Sequence, residues 1–240
     1  MRTVPILALA PLIALPSSAL SRPGWPGAAP TAPAQVTSPC DTAFARVAEV
    51  RGRVDPAGAR QATAEVYLFD GFELRRAATT PEGWFCLPVA RSTPGTFVSV
   101  FAARPGFLPQ VRNLRVNQAD PQRGRRDTLQ AGTIALRPSP NPAAGTLVGV
   151  AYVRTESGRP RPHEGILRYD AALAITVSGA DGRGNARAAL RTDSLGVFTA
   201  QLPPGTYRVV SSRNVVVDGV AVQAGRTTVQ PVLSGREINF

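Results

Sequence analysis

Thr192-Asp193-Ser194-Leu195-Gly196-Val197-Phe198-Thr199-Ala200-Gln201-Leu202-Pro203-Pro204-Gly205-Thr206-Tyr207-Arg208-Val209-Val210 is the stretch around which the chain is organised. Residues 197–202 alternate, with Phe198, Ala200 and Leu202 on one face, the period-two pattern of a half-buried strand. Pro203-Pro204-Gly205 is a turn signal. Residues 206–210 are rich in β-branched and aromatic side chains and read as a returning strand, so the stretch predicts a hairpin. The same device occurs earlier, as Thr79-Thr80-Pro81-Glu82-Gly83-Trp84-Phe85-Cys86-Leu87 followed by Pro94-Gly95-Thr96-Phe97-Val98-Ser99-Val100. Gly83 and Phe85 map onto Gly196 and Phe198 with an offset of 113, and Gly95 and Phe97 onto Gly205 and Tyr207 with an offset of 110. Two copies are too few for a solenoid and predict two tandem modules, beads on a tether.

Composition agrees with an all-β chain. The 240 residues suffice for one or two domains, and 43 % hydrophobic content supports a packed core. Pro (23) and Gly (22) are abundant and charge is low, which suits many short strands and turns. All 27 basic residues are arginine, and the formal net charge is +11. That charge attracts anionic surfaces and polymers. Nucleic acid is nevertheless disfavoured as the partner, because a solvated arginine-decorated surface is the simpler account of the charge.

Met1-Arg2, an apolar run over residues 4–15 and the small residues Ser17-Ser18-Ala19 predict a signal peptide over 1–19. The run is too short for a bilayer span, which takes about 20 apolar residues. Residues 20–39 are rich in Pro and Ala and read as an extended leader with one large side chain, Trp25. The expected location is therefore secreted, either periplasmic or extracellular.

Between residues 40 and 137 short candidate strands recur with frequent turn signals, the pattern of a β-sandwich. In residues 64–69, Val66 and Leu68 oppose Tyr67 and Phe69, and residues 74–80 should be the hairpin partner. Arg137-Pro138-Ser139-Pro140-Asn141-Pro142 predicts a stiff spacer, placing a linker at 138–144. A second sandwich follows over 145–240. In it, 181–185 reads as a hairpin tip, Asp218-Gly219 as a hairpin turn needing positive φ, and 227–233 as the final strand. The expected fold class is all-β, two tandem antiparallel β-sandwich modules.

Cys40 and Cys86 form an even set, and in an oxidising compartment they predict a disulfide. Phe85 and Leu87 flank Cys86, so if those two face the core Cys86 lies on the outer side of its sheet. A bridge would pin the leader across that sheet. The cysteines are 46 positions apart, for which loop entropy suggests about 3–4 kcal/mol.

Thr-Asp-Ser-Leu-Gly-Val-Phe over 192–198, then Leu-Pro-Pro-Gly-Thr-Tyr-Arg-Val-Val over 202–210, resembles the carboxypeptidase regulatory-like family. Val220-Ala221-Val222-Gln223-Ala224-Gly225-Arg226-Thr227-Thr228 looks like the closing strand pair of that family. The likeness covers most of 145–233 and, less closely, 51–116, where Thr80-Pro81-Glu82 replaces the usual Thr-Asp-x. The resemblance implies a transthyretin-like (prealbumin) sandwich, grouped with carbohydrate-binding-like folds. It implies structural roles for Gly196, Phe198, Leu202 and Gly205. No catalytic residue carries over with it.

The residues themselves offer little chemistry. The single histidine, His163, stands beside Glu164 with no second histidine following, and zinc needs three or four ligands. No Gly-x-Ser-x-Gly nucleophile elbow occurs. Residues 179–184 are glycine-rich but precede a strand, whereas a phosphate loop opens a helix. The densest basic run, Arg123-Gly124-Arg125-Arg126, reads either as an anion patch or as a solvated loop. The expectation is no catalytic, cofactor or metal site. We therefore expect a secreted, non-enzymatic interaction or scaffold protein of the cell envelope, partnered by an envelope protein or polysaccharide. The alternative is a carbohydrate-binding accessory protein. Aromatic platforms for a sugar would come from Trp84, Tyr67, Tyr152 or Tyr169. Trp84, which alternates away from Phe85, is the best of them, although cross-strand packing would also account for it.

Overall fold

The computed structural model describes residues 48–55, 63–89, 93–117, 128–157, 164–180 and 188–239. The expected signal peptide, leader and Trp25 lie outside them, as do Cys40, the basic run at 123–126, His163 and the tip at 181–185. Every regular element described is a strand.

The first half contains β1 (Glu49–Asp55), β2 (Glu65–Phe69), β3 (Leu74–Ala78), β4 (Trp84–Pro88), β5 (Phe97–Ala103), β6 (Phe107–Leu108), β7 (Gln110–Arg115), β8 (Thr128–Ala135) and β9 (Arg137–Pro138). One sheet runs β4-β1-β8, and β3, β2, β5 and β7 pair side by side in another. The second half contains β10 (Gly145–Ser157), β11 (Gly165–Tyr169), β12 (Ala174–Gly179), β13 (Ala188–Arg191), β14 (Val197–Leu202), β15 (Gly205–Ser211), β16 (Val216–Val222), β17 (Thr227–Val229) and β18 (Val232–Asn239). Here the orders are β14-β10-β17 and β13-β12-β15-β16. The same arrangement recurs strand for strand, including the parallel pairing of first and last strands, β1 with β8 and β10 with β17.

Each half buries its own core between its two sheets. Val50, Phe85, Leu87 and Ile134 meet Val66, Leu68, Val98 and Val100 in the first. Leu147, Phe198 and Leu202 meet Ile175, Val177, Tyr207 and Val209 in the second. Full burial of such a side chain contributes ~1.5–3 kcal/mol before chain entropy is charged.

The hairpin expected at 197–210 does not form. β14 pairs with β10, while β15 pairs with β12 and β16, so the chain crosses from one sheet to the other at Pro203-Pro204. A two-residue hairpin turn needs positive φ at its tip. Two prolines fix φ near −65° and supply no N–H, so they make a corner, which Tyr207 closes by donating its hydroxyl to Pro203 O at 2.6 Å. The earlier copy behaves alike, β4 pairing with β1 and β5 with β2 and β7. The predicted β2–β3 hairpin does form. Asp218-Gly219 is not a hairpin turn but a bulge inside β16. The register passes from Tyr207↔Val220 to Val209↔Val217, and Gly219 takes the extra residue at φ 74°. The final strand divides at Gln230-Pro231 into β17 and β18, which follow successive parts of β10.

The motif residues of the two copies do the same work. Thr192 Oγ1 accepts Leu173 N at 2.9 Å, and Thr79 Oγ1 accepts Ala64 N at 3.0 Å. Gly196 and Gly83 turn the chain at φ 72° and 88°, each offering its carbonyl to the central strand at 2.8 Å. Asp193 Oδ1 accepts both Leu195 N and Val197 N at 2.8 Å. Thr80 in its place accepts Trp84 N at 3.2 Å.

Candidate functional site

Trp84 and Cys86 share the outer face of β4, since Phe85 and Leu87 fill the core. Trp84 is 56 % exposed, and its cross-strand partner Arg53 places its guanidinium carbon 5.7 Å from the ring centroid. The same arginine donates from Nε to Glu82 O at 3.0 Å. The indole is thus packed across the strand pair as well as exposed. Cys86 is buried, its Sγ 3.8 Å from Glu49 Oε2. Glu49 is itself buried and accepts Arg51 Nε at 2.7 Å and Thr128 Oγ1 at 3.2 Å.

The other expected platforms lie elsewhere. Alternation along β2 and β5 sends Val66, Leu68, Val98 and Val100 into the first core and Phe69 and Phe101 to the opposite face. Alternation along β10 sends Leu147 and Ala151 into the second core and Val148, Val150 and Tyr152 outward. These two outward faces pack on each other and, with Ile166, form a third core that joins the halves. The halves are therefore not beads on a tether; residues 36–240 make one compact unit. Phe69 meets Tyr152 edge-on at 5.0 Å, and Phe97 meets Tyr169 at 5.5 Å. Aromatic pairs of this kind add ~0.5–1.5 kcal/mol beyond area burial.

Hydrogen bonds also cross the junction. Ser99 Oγ and Tyr169 OH are 2.9 Å apart. Glu164 N donates to Thr93 Oγ1 and Thr93 N to Glu164 O, both at 3.0 Å. Asn113 Nδ2 donates to Leu195 O at 2.9 Å. Ile166 of β11 registers with Phe97 of β5, which carries the pairing of one half into the other. At one rim Asp70 Oδ1 accepts Phe72 N and Glu73 N at 3.0 Å, and Arg154 lies 4.6 Å over the Phe72 ring. Burial pushes the Tyr152 phenol up to about 12 and raises that of Tyr169 as well. Tyr152 and Tyr169 thus belong to the junction and present no open platform.

At another rim a cleft of about 340 Å³ opens between the halves. Tyr67 lines it and donates its hydroxyl to Glu65 Oε2 at 2.6 Å. Burial, and then the Glu65 bond, push this phenol up to about 12. Arg76, Arg104 and Arg226 line the same cleft. Composition gave the positive charge but not its position, because the three arginines are far apart in sequence. Among the described residues, no three His, Cys, Asp or Glu side chains gather as a metal would require, and no helix is long and apolar enough to cross a membrane.

No known family model and no curated protein matches the sequence. Solved structures similar to it include the Bacillus anthracis TIE protein (11 % identity, 78 % of this chain, 33 % of that one, TM-score 0.29). The minor pilin GBS52 of Streptococcus agalactiae shares 10 % identity over 80 % of this chain and 96 % of the pilin, at TM-score 0.27. BcpA, the major pilin subunit of Bacillus cereus, shares 7 % identity over 78 % of this chain and all of the pilin, at TM-score 0.30. The chain spans about a third of the length of the TIE protein. Overlap at this level assigns neither family nor function to the chain.

Proposed function

We propose that the chain is a non-enzymatic interaction or scaffold protein of the cell envelope, built from two carboxypeptidase regulatory-like modules at 40–137 and 145–240. The observation that carries this reading is the aromatic junction, which uses one outer sheet face of each half to weld two sandwiches into a single stiff body. A spacer needs this property: relative motion of the halves would expose Phe101, Val148, Val150 and Ile166, all fully buried. The recurrence of the motif bonds at Thr79 and Thr192, and at Gly83 and Gly196, supports the regulatory-like module as the repeated unit. The chain has no lysine, so it supplies no side-chain amine to a cross-link with a partner. Cys40 bridges Cys86 in this reading, which agrees with the burial of Cys86 on an outer face.

Site-specific photocrosslinking in intact cells tests the proposal, with the crosslinker at the exposed positions Trp84, Leu195 and Ile238. Discrete adducts in the envelope fraction are the expected result. A chain that stays in the cytoplasm, or forms no adduct at any of the three positions, would overturn it.

A further inference from the structure

The cleft at the rim of the junction holds more positive charge than its own residues balance. Arg76 is ion-paired to Glu65, which also accepts the Tyr67 hydroxyl, so this group of three is closed and carries no net charge. Arg104 is different. Its guanidinium stacks 5.0 Å over Phe107, and its Nη1 is buried with no hydrogen-bond partner. A buried donor left unpaired is costly, and more so when it is charged. Arg226, from the turn between β16 and β17, has no side-chain hydrogen bond or ion pair among the described residues and lines the same space. The cleft is therefore lined by two arginines without an ion-pair partner among the described residues, Arg104 from the first half and Arg226 from the second, beside the hydroxyl-bearing Thr227.

We propose that this cleft is a binding site for a dianionic oxyacid group, of the phosphomonoester class, on a small ligand. Two arginines without a carboxylate partner among the described residues match the charge of such a group, and a guanidinium takes phosphate oxygens in a planar two-point geometry. A volume of about 340 Å³ admits the phosphate and a small organic body, at the lower end of ligand pockets generally. Because Arg104 and Arg226 come from different halves, only the packed junction assembles the site. The proposal does not depend on the scaffold reading.

Calorimetric titration of the full chain with inorganic phosphate, glycerol phosphate and acetate provides the test. Saturable binding of one or both dianions is expected, with acetate markedly weaker. Arg104→Gln and Arg226→Gln should each weaken it about tenfold or more, the range for a hydrogen bond to a charged group. Arg208→Gln, whose guanidinium is paired with Asp218 on an exposed edge, should leave it unchanged. Tighter binding of the ester than of free phosphate would show the organic body in the cleft, while equal binding would identify the free ion as the ligand. Three results would overturn the proposal: no dianion binding at about millimolar concentration, binding that survives the double substitution in a folded protein, or acetate bound as tightly as phosphate.

Discussion

Replacing Gly149 by alanine tests how the central strand of the second sandwich is packed. Gly149 stands directly opposite Phe198 in the β10–β14 pair. A Cβ built there would lie 2.0 Å from Gln230 O and 2.6 and 2.8 Å from two carbons of the Phe198 ring. Elsewhere in a strand, alanine in place of glycine stabilises by about 0.4–1 kcal/mol through the unfolded chain. Here the added methyl must push a backbone carbonyl and a buried ring, and overpacking of this kind costs about 1–3 kcal/mol. The 2.0 Å contact with an immobile carbonyl puts the cost at the upper end. At about 2–4 °C per kcal/mol for a chain of this size, Gly149→Ala should lower Tm by roughly 6–12 °C. Adding Phe198→Leu relieves the ring contact but leaves the carbonyl, so rescue should be partial. The counterpart Gly52 gives a contrasting case. Its Cβ would meet the Phe85 ring at 2.6 and 2.8 Å but Gly132 O only at 2.9 Å, so Phe85→Leu should rescue Gly52→Ala more fully. Thermal unfolding of the four variants measures both effects. A Gly149→Ala protein as stable as its parent would refute the packing argument.

Ile166→Ala, at a fully buried junction position, should cost about 2–5 kcal/mol and keep a single unfolding transition; two separated transitions in the parent protein would contradict the shared core. Thr192→Val removes a hydroxyl that accepts Leu173 N and donates to Asp170 O at 2.6 Å, for about 1–3 kcal/mol; denaturant midpoints should show it more harmful than Thr79→Val. The phenols of Tyr67 and Tyr152 are raised from 10 to about 12, so the fold favours their neutral form. Their contribution is complete below the unfolded value near pH 10 and is lost as pH rises towards about 12; a denaturant midpoint at about pH 11 equal to that at about pH 9 would refute it. Alkylation of the secreted, denatured and unreduced protein should find no free thiol at Cys40 or Cys86, and two modified cysteines would rule out the bridge.

Local chemistry made the sandwich legible in the sequence, and long-range contacts hid the junction. The strand at 65–69 was readable because Val66 and Leu68 alternate with Tyr67 and Phe69. The same alternation marks a strand covered on both faces: one with a solvated face would not place Tyr and Phe opposite its aliphatic residues. Both faces of β2 are covered, one by the first core and one by the other half. The error at 197–210 has a different cause. A strand–turn–strand pattern does not say which sheet receives the second strand, and Pro203-Pro204 carried the only local information against a hairpin. The Asp218-Gly219 pair correctly demanded positive φ, yet a bulge and a tight turn satisfy that demand equally. The arginine cleft was beyond reach for a third reason. Its unpaired charges come from 104 and 226, and nothing in their local sequence distinguishes them from the other arginines. They acquire a common function only because aromatic faces several strands away bring the halves together. In the parent protein, the fate of the cleft and that of the junction are therefore coupled: Ile166→Ala, in the shared core and outside the cleft lining, should weaken dianion binding by loosening the halves. Binding unaffected by a variant that unfolds in two steps would show that the site is assembled without the shared core.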